Sequence, residues 1–262
     1  MAPHPELSRI HVGTSGYVYP HWRGVFYPEA LPHKEELAYY ASRFGALELN
    51  TTFYRLPTEH AVRGWAERVP PGFVFAVKGS RYLTHVKRLK ESGEGVRRFF
   101  AAIAPLGPRL GPVLWQLPPQ MKPDPARLAD FLAALPRGHD YAVELRNADW
   151  YRDDVFALLD GAGASLCLHD LVDAPAPFPP PGPIYYRRFH GPRGACRGRY
   201  GRRGLRAAAA EIATLSLAGR PCYAFFNNDL NADAVVDAAT LETLVAGALA
   251  TPSARGRQPL SP

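Results

Sequence analysis

Short apolar runs in this chain end, one after another, in side chains that can do chemistry. Glu48 and Asn50 close the second run, Lys78 the third, Gln116 the fourth, and Glu144 with Arg146 the fifth. His169 and Asp170 close the sixth, Arg188 and His190 the seventh, and Asn227 with Asn228 the eighth. The first run ends in Gly13, Thr14, Ser15 and Gly16, small residues that let backbone or ligand come close. Two carboxylates whose environments separate their pKa values can serve as general acid and base, the role expected of Glu48 and Glu144. Lys78, Arg146 and Arg188 can hold an anion or stabilise developing negative charge. Catalytic roles are therefore expected for Glu48, Glu144, Lys78 and His190. Substrate contacts are expected from Ser15, Asn50, Tyr54, His85, Gln116, Arg146, Trp150, Asp170, Arg188 and Asn227.

Side-chain alternation supports one shared face for these groups. In the run 46–50 the leucines point one way, while Ala46, Glu48 and Asn50 point the other. In 141–146, Ala142, Glu144 and Arg146 share a face, and in 73–78 so do Val74, Ala76 and Lys78. Small residues lie low on the inner face and charged residues lie near a wet rim, where a charge costs least.

The elements that position them follow from periodicity. Strands are predicted over 10–14, 46–50, 73–78, 112–117, 141–146, 165–170, 184–190 and 222–227. Helices are predicted near 33–44, 58–68, 94–104, 125–134, 152–162, 204–218 and 232–249, with caps at Thr58, Asn231 and Asp124-Pro125. Eight strands alternating with helices predict an α/β fold, a (β/α)8 barrel of the triosephosphate-isomerase (TIM) type with parallel strands. An open doubly wound sheet is the alternative. The stretch 173–183 carries too many prolines for a helix, so the connection between strands six and seven should be a Pro-rich loop. One barrel domain over 1–250 and a disordered tail over 251–262 complete the organisation.

The net charge of +7 is local. Six arginines and no acid fall within 191–206, and Arg255 and Arg257 follow in the tail; without these eight, 23 of the 31 basic residues remain against 24 acidic ones. The loop after the seventh strand, with Arg193, Arg197, Arg199, Tyr200 and Arg202, precedes a helix and could hold phosphate through arginine forks and helix amides. Nucleic-acid binding with Tyr200 stacking is the alternative use of that loop. There is no GxGxxG after the first strand, no P-loop, no GxSxG elbow and no HExxH, so no cofactor is expected, and the rim cations disfavour a divalent metal. No apolar run reaches the roughly 18 residues that span a bilayer. With no signal-peptide pattern and three cysteines outside any CxxC pair, a cytoplasmic protein is expected.

Several segments are similar to a known family: VGTSGYVYPHWRGVFYP from Val12, LELNTTFYRLP from Leu47, FAVKGSRYLTH from Phe75, VLWQLPP from Val113, VELRNADWY from Val143, YYRRFHG from Tyr185 and FFNND from Phe225. In this order they resemble the YecE-like family, domain of unknown function number seventy-two, over roughly 10–249. The resemblance implies a TIM-type barrel and maps the family motifs onto the rim positions above, including Thr52; it brings no activity. The arginine-rich stretch 193–206 is more basic than the family pattern. The residues point to an enzyme acting on a small polar or anionic metabolite, with isomerase, lyase and hydrolase chemistry all open. A non-catalytic metabolite binder using the same pocket is the alternative.

Overall fold

A computed structural model of the chain describes residues 5–174, 176–192 and 196–250. The tail 251–262 and Arg193 lie outside the described residues. The strands are β1 (Ile10–Ser15), β2 (Ala46–Leu49), β3 (Val74–Lys78), β4 (Leu110–Gln116), β5 (Tyr141–Glu144), β6 (Ala164–His169), β7 (Tyr185–Phe189) and β8 (Cys222–Phe226). Each pairs in parallel with the next, and β8 pairs with β1, so the sheet closes into an eight-stranded barrel. The helices are α1 (Glu36–Ala41), α2 (Thr51–Tyr54), α3 (Glu59–Glu67), α4 (Gly93–Ile103), α5 (Pro125–Ala133), α6 (Asp153–Gly161), α7 (Gly201–Leu217) and α8 (Asp233–Ala250).

Local chemistry sets several boundaries. The Thr58 hydroxyl accepts from the Ala61 amide at 3.3 Å and opens α3, while Asp124 accepts from the Arg127 amide at 3.0 Å and Pro125 supplies the first turn of α5. Asn231 does not cap α8 as expected; it sits in a left-handed turn (φ 59°) just before the helix. Between β6 and β7 the described residues form bends and no helix. The Arg220 guanidinium pins the end of that segment, donating to Pro180 O at 2.7 Å and to Ile184 O at 3.1 Å.

The barrel has two cores. Outward-facing Leu47, Phe75, Val77, Trp115 and Val143 pack with the helices. Inside, Ala46, Ala76 and Ala142 from one side leave space that Tyr186, Tyr223 and Phe225 fill from the other. Gly13 completes this layer because a Cβ there would fall 2.1 Å from Ala46 O. One residue pair further along each strand the packing turns polar. Ser15 lies beside Glu48, Gln116 beside Glu144, and His169 beside Arg188 in the register. This polar layer is the barrel's carboxyl mouth, the end at which barrels of this type carry their sites.

Candidate functional site

The centre of the mouth is the Arg188 guanidinium. Its Nη2 and Nε donate to Glu48 Oε1 and Oε2 at 2.8 and 3.0 Å, and its Nη1 donates to Glu144 Oε2 at 2.7 Å. The network extends outward through short bonds. Ser15 Oγ donates to Glu48 Oε1 at 2.5 Å, Tyr186 Oη donates to Glu48 Oε2 at 2.6 Å, and Arg146 Nε donates to Glu144 Oε1 at 2.5 Å. Nε2 of His190 lies 3.1 Å from Arg188 Nη1; an arginine can only donate, so this nitrogen accepts and Nδ1 carries the proton toward Asp170 Oδ1 at 3.3 Å. Asp170 also accepts the His190 backbone amide at 2.9 Å.

Electrostatics fixes the charge states. Burial alone would raise the Glu48 carboxyl, but Arg188 with the Ser15 and Tyr186 hydroxyls outweighs it and holds the group below its ordinary value. Burial works the same way on Glu144 and is outweighed further by Arg188 and Arg146, so this carboxyl lies well below the ordinary range. Both are carboxylates at neutral pH. The expected split, one acid and one base, therefore does not arise from this environment, because the same arginine neutralises both. Arg188 is likewise engaged by these carboxylates and is not a free anion holder. Burial, reinforced by Arg188, lowers the His190 imidazole despite the Asp170 bond and keeps it neutral.

This network is a floor rather than a surface. Glu48 and Glu144 are 0% exposed, and Arg188 and His190 1%. The side chains that reach solvent above it are Arg146, Asn50, His85, His169, Asp170 and Asn227, with Lys78 at the edge. Lys78 is 9% exposed, and its Nζ lies 4.1 Å from the centroid of the Phe53 ring. Burial, with Arg188 nearby, pulls its ammonium down to about 8. Burial and the neighbouring Lys78 bring the His85 imidazole down to about 4, so it is neutral; its Nδ1 lies 2.8 Å from Thr84 Oγ1 and its Nε2 3.4 Å from the Gln116 amide. His169 holds strand ends together, with Nε2 at 2.9 Å from Leu145 O and Nδ1 accepting from the Leu171 amide. Asn50 Oδ1 is buried without a hydrogen-bond partner, and Asn227 Nδ2 donates to Cys196 Sγ at 3.2 Å.

Two expected contacts sit elsewhere. Trp150 is fully buried and donates Nε1 to Met121 O at 2.8 Å, so it ties the segment after β5 to the segment after β4. Tyr54 is 79% exposed on the outside of α2 and meets Phe53 edge-on. The helix amides expected to share in holding phosphate at the basic loop are already engaged. The amides of Tyr200 and Gly201 at the start of α7 donate to the two carboxylate oxygens of Asp237 from α8, at 3.0 and 3.2 Å. This buried carboxylate is the anion that the helix terminus would otherwise attract. Arg199 donates to Asp233 at 2.7 Å, and the Tyr200 hydroxyl bonds Asp170. Arg197 and Arg202 point to solvent. Gly191 (φ +100°) lets the loop fold back tightly, since a Cβ there would fall 2.3 Å from Arg197 O.

Sequence reasoning missed Tyr186, Phe53 and Asp237. Tyr186 reads as core, yet it stands two residues before Arg188 on the same inward face, a signal the alternation carried. Asp237 gave no signal, because its partners lie 36 and 37 residues away in another element. Among the described residues no three His, Cys, Asp or Glu side chains gather as a metal cage, and no helix is long and apolar enough to cross a membrane.

The closed parallel eight-stranded sheet with helices between its strands defines a (β/α)8 barrel protein, here with buried charges flooring its carboxyl mouth. The chain belongs to the family described as "Protein of unknown function DUF72", whose model matches residues 11–259. It is 31% identical over 143 residues to the UPF0759 protein YecE of Escherichia coli K12, a match covering 54% of this chain and 50% of that protein. The chain thus spans about half the length of this curated relative in the match. A DUF72 family protein of Thermotoga maritima MSB8 superposes with a TM-score of 0.81 at 28% identity, covering 90% of this chain and 98% of that one. One from Enterococcus faecalis V583 superposes with a TM-score of 0.75 at 21% identity, covering 90% and 95%, and shares the fold.

Proposed function

We propose that the mouth is the site of an enzyme acting on a small polar, anionic metabolite, a sugar phosphate or a carboxylate. The observation that carries this reading is the sealed Glu48–Arg188–Glu144 network beneath solvent-reaching Arg146, with the largely buried Lys78 at its edge. Removing such charges from water costs several kcal/mol per ion, and apolar side chains of equal volume would close a barrel without that penalty. A rigid charged floor is useful where it orients groups above it. Here Glu144 orients Arg146, which with Lys78 presents positive charge to an incoming anion. Both carboxylates stay ionised, so proton transfer falls to groups that change charge near neutral pH, Lys78 first, with neutral His85 beside it.

The test is depletion of metabolites from an extract rich in carboxylates and sugar phosphates, followed by mass spectrometry. Wild-type protein should consume an anionic compound that Lys78→Met and Arg146→Ala leave intact. Full turnover by both variants would contradict the proposal. Tight binding without turnover would make the protein a metabolite binder. Association only with oligonucleotides, falling steeply with salt, would move the function to the loop around Arg197 and Arg202.

A further inference from the structure

The chain has five lysines (Lys34, Lys78, Lys87, Lys90 and Lys122), and Lys78 is the buried one. It ends β3 on the inward face, after Val74 and Ala76. Its backbone is held from β2's side: Thr52 Oγ1, on α2, donates to Lys78 O at 2.7 Å. The same short helix supplies the Phe53 ring under Nζ. Among the described residues no carboxylate comes within ion-pair distance of that nitrogen. The acids that face it are already engaged, Glu48 from β2 by Arg188, and Glu144 from β5 by Arg188 and Arg146. The remaining charged or titratable neighbours are Arg188 from β7, Arg146 beyond β5, and His85 from the turn after β3. A buried amine among cations, with an aromatic face instead of a counter-ion, is the environment in which a lysine becomes a nucleophile.

We propose that Lys78 is the amine that forms a Schiff base with an anionic aldehyde or ketone, the substrate class of the mouth; this rests on the anionic-metabolite reading above. The neutral Nζ adds to the carbonyl carbon, forming the C–N bond as the C=O π pair moves to oxygen. One of the two Nζ protons passes to that oxygen, a second proton from solvent makes it a leaving group, and its departure as water gives the iminium, so one water leaves for each C=N formed. The iminium then accepts the electron pair of a neighbouring C–H bond as that bond breaks, the proton passing to solvent, which gives an enamine. Arg146 is placed to hold the substrate's anionic group, and the buried, unpartnered Asn50 Oδ1 offers an acceptor to the carbinolamine hydroxyl. An ammonium lowered to about 8 provides free amine near neutral pH, which supports the same assignment.

Reductive trapping tests this on the wild-type protein. Formaldehyde or glyoxylate is added with cyanoborohydride, and each of the five lysines is quantified by peptide mapping. At neutral pH formaldehyde should label Lys78 at least about tenfold faster than the exposed Lys34, Lys90 and Lys122. Glyoxylate, an anionic aldehyde, should widen that preference, and Arg146→Ala should remove the widening while the formaldehyde preference persists. Labelling of Lys78 no faster than the surface lysines with formaldehyde overturns the nucleophile, whether or not the mouth binds anions. A formaldehyde preference without a glyoxylate preference overturns the anionic substrate class and leaves the nucleophile standing.

Discussion

Arg188 draws together two carboxylates from strands on other parts of the barrel wall, and neither can meet water. Its removal leaves Glu48 buried without a cationic partner and Glu144 buried with Arg146 alone. Arg188→Met should therefore lose about 3–5 kcal/mol of stability, readable by denaturant titration. The pH dependence of the variant has a definite sign. Without the arginine, burial is the largest remaining influence on both carboxyls and raises them above their unfolded value. A raised acid stabilises the fold at low pH and loses that contribution as pH rises, so the stability that Arg188→Met loses relative to wild type should be smaller at about pH 5 than at about pH 7. Adding Glu48→Gln and Glu144→Gln should recover much of the loss. A variant as stable as wild type at neutral pH would mean that the network is not closed as described. At this scale the sequence revealed residue types and facing. Side-chain alternation placed Glu48, Lys78, Glu144 and Arg188 together, but it could not tell which charges cancel, because that depends on distances across the barrel.

The elements show the same division between local and distant information. Strand positions were legible to within two residues, since a buried parallel strand is a short apolar run whatever its neighbours. The four-residue α2 was not, although it carries Thr52 and Phe53 against Lys78, because one turn of helix has too few residues to show a period. The α7–α8 contact was also hidden. Asp237 of α8 caps the first amides of α7 and also accepts from Asn228 at 2.8 Å. Asp237→Ala should lose about 1–2 kcal/mol from the missing cap, a fall of roughly 2–8 °C in Tm for a chain of this size. Millimolar phosphate should stabilise the variant more than it stabilises wild type, because the Tyr200 and Gly201 amides are unclaimed only in the variant. Phosphate stabilising both equally would contradict the capping assignment.

For the whole molecule, the clustering of arginines in one loop misled the charge reading. Arg199 is neutralised by Asp233, and the helix terminus behind it by Asp237, so the loop presents less free positive charge than its composition suggests. Acid stability can be derived from the buried imidazoles. Burial lowers His11 and His85 to about 4 and lowers His190, whereas the unfolded chain takes up these protons near 6.5. Stability should therefore fall as pH drops from about 6.5 to about 4, because the unfolded state binds more protons there. Glu242, raised to about 7 by burial, acts in the opposite sense, so Glu242→Gln should steepen the decline in denaturation midpoint. An unchanged midpoint across that range would contradict the neutral state of these histidines.

The mouth as an anion site is tested most directly by thermal shift with small carboxylates and sugar phosphates on four proteins: wild type, Lys78→Met, Arg146→Ala and Arg199→Ala. The structure predicts that an anion raises the Tm of wild type and of Arg199→Ala, while Lys78→Met and Arg146→Ala lose the shift. The same shift in all four proteins, or one lost only in Arg199→Ala, would place the anion outside the mouth and contradict the account.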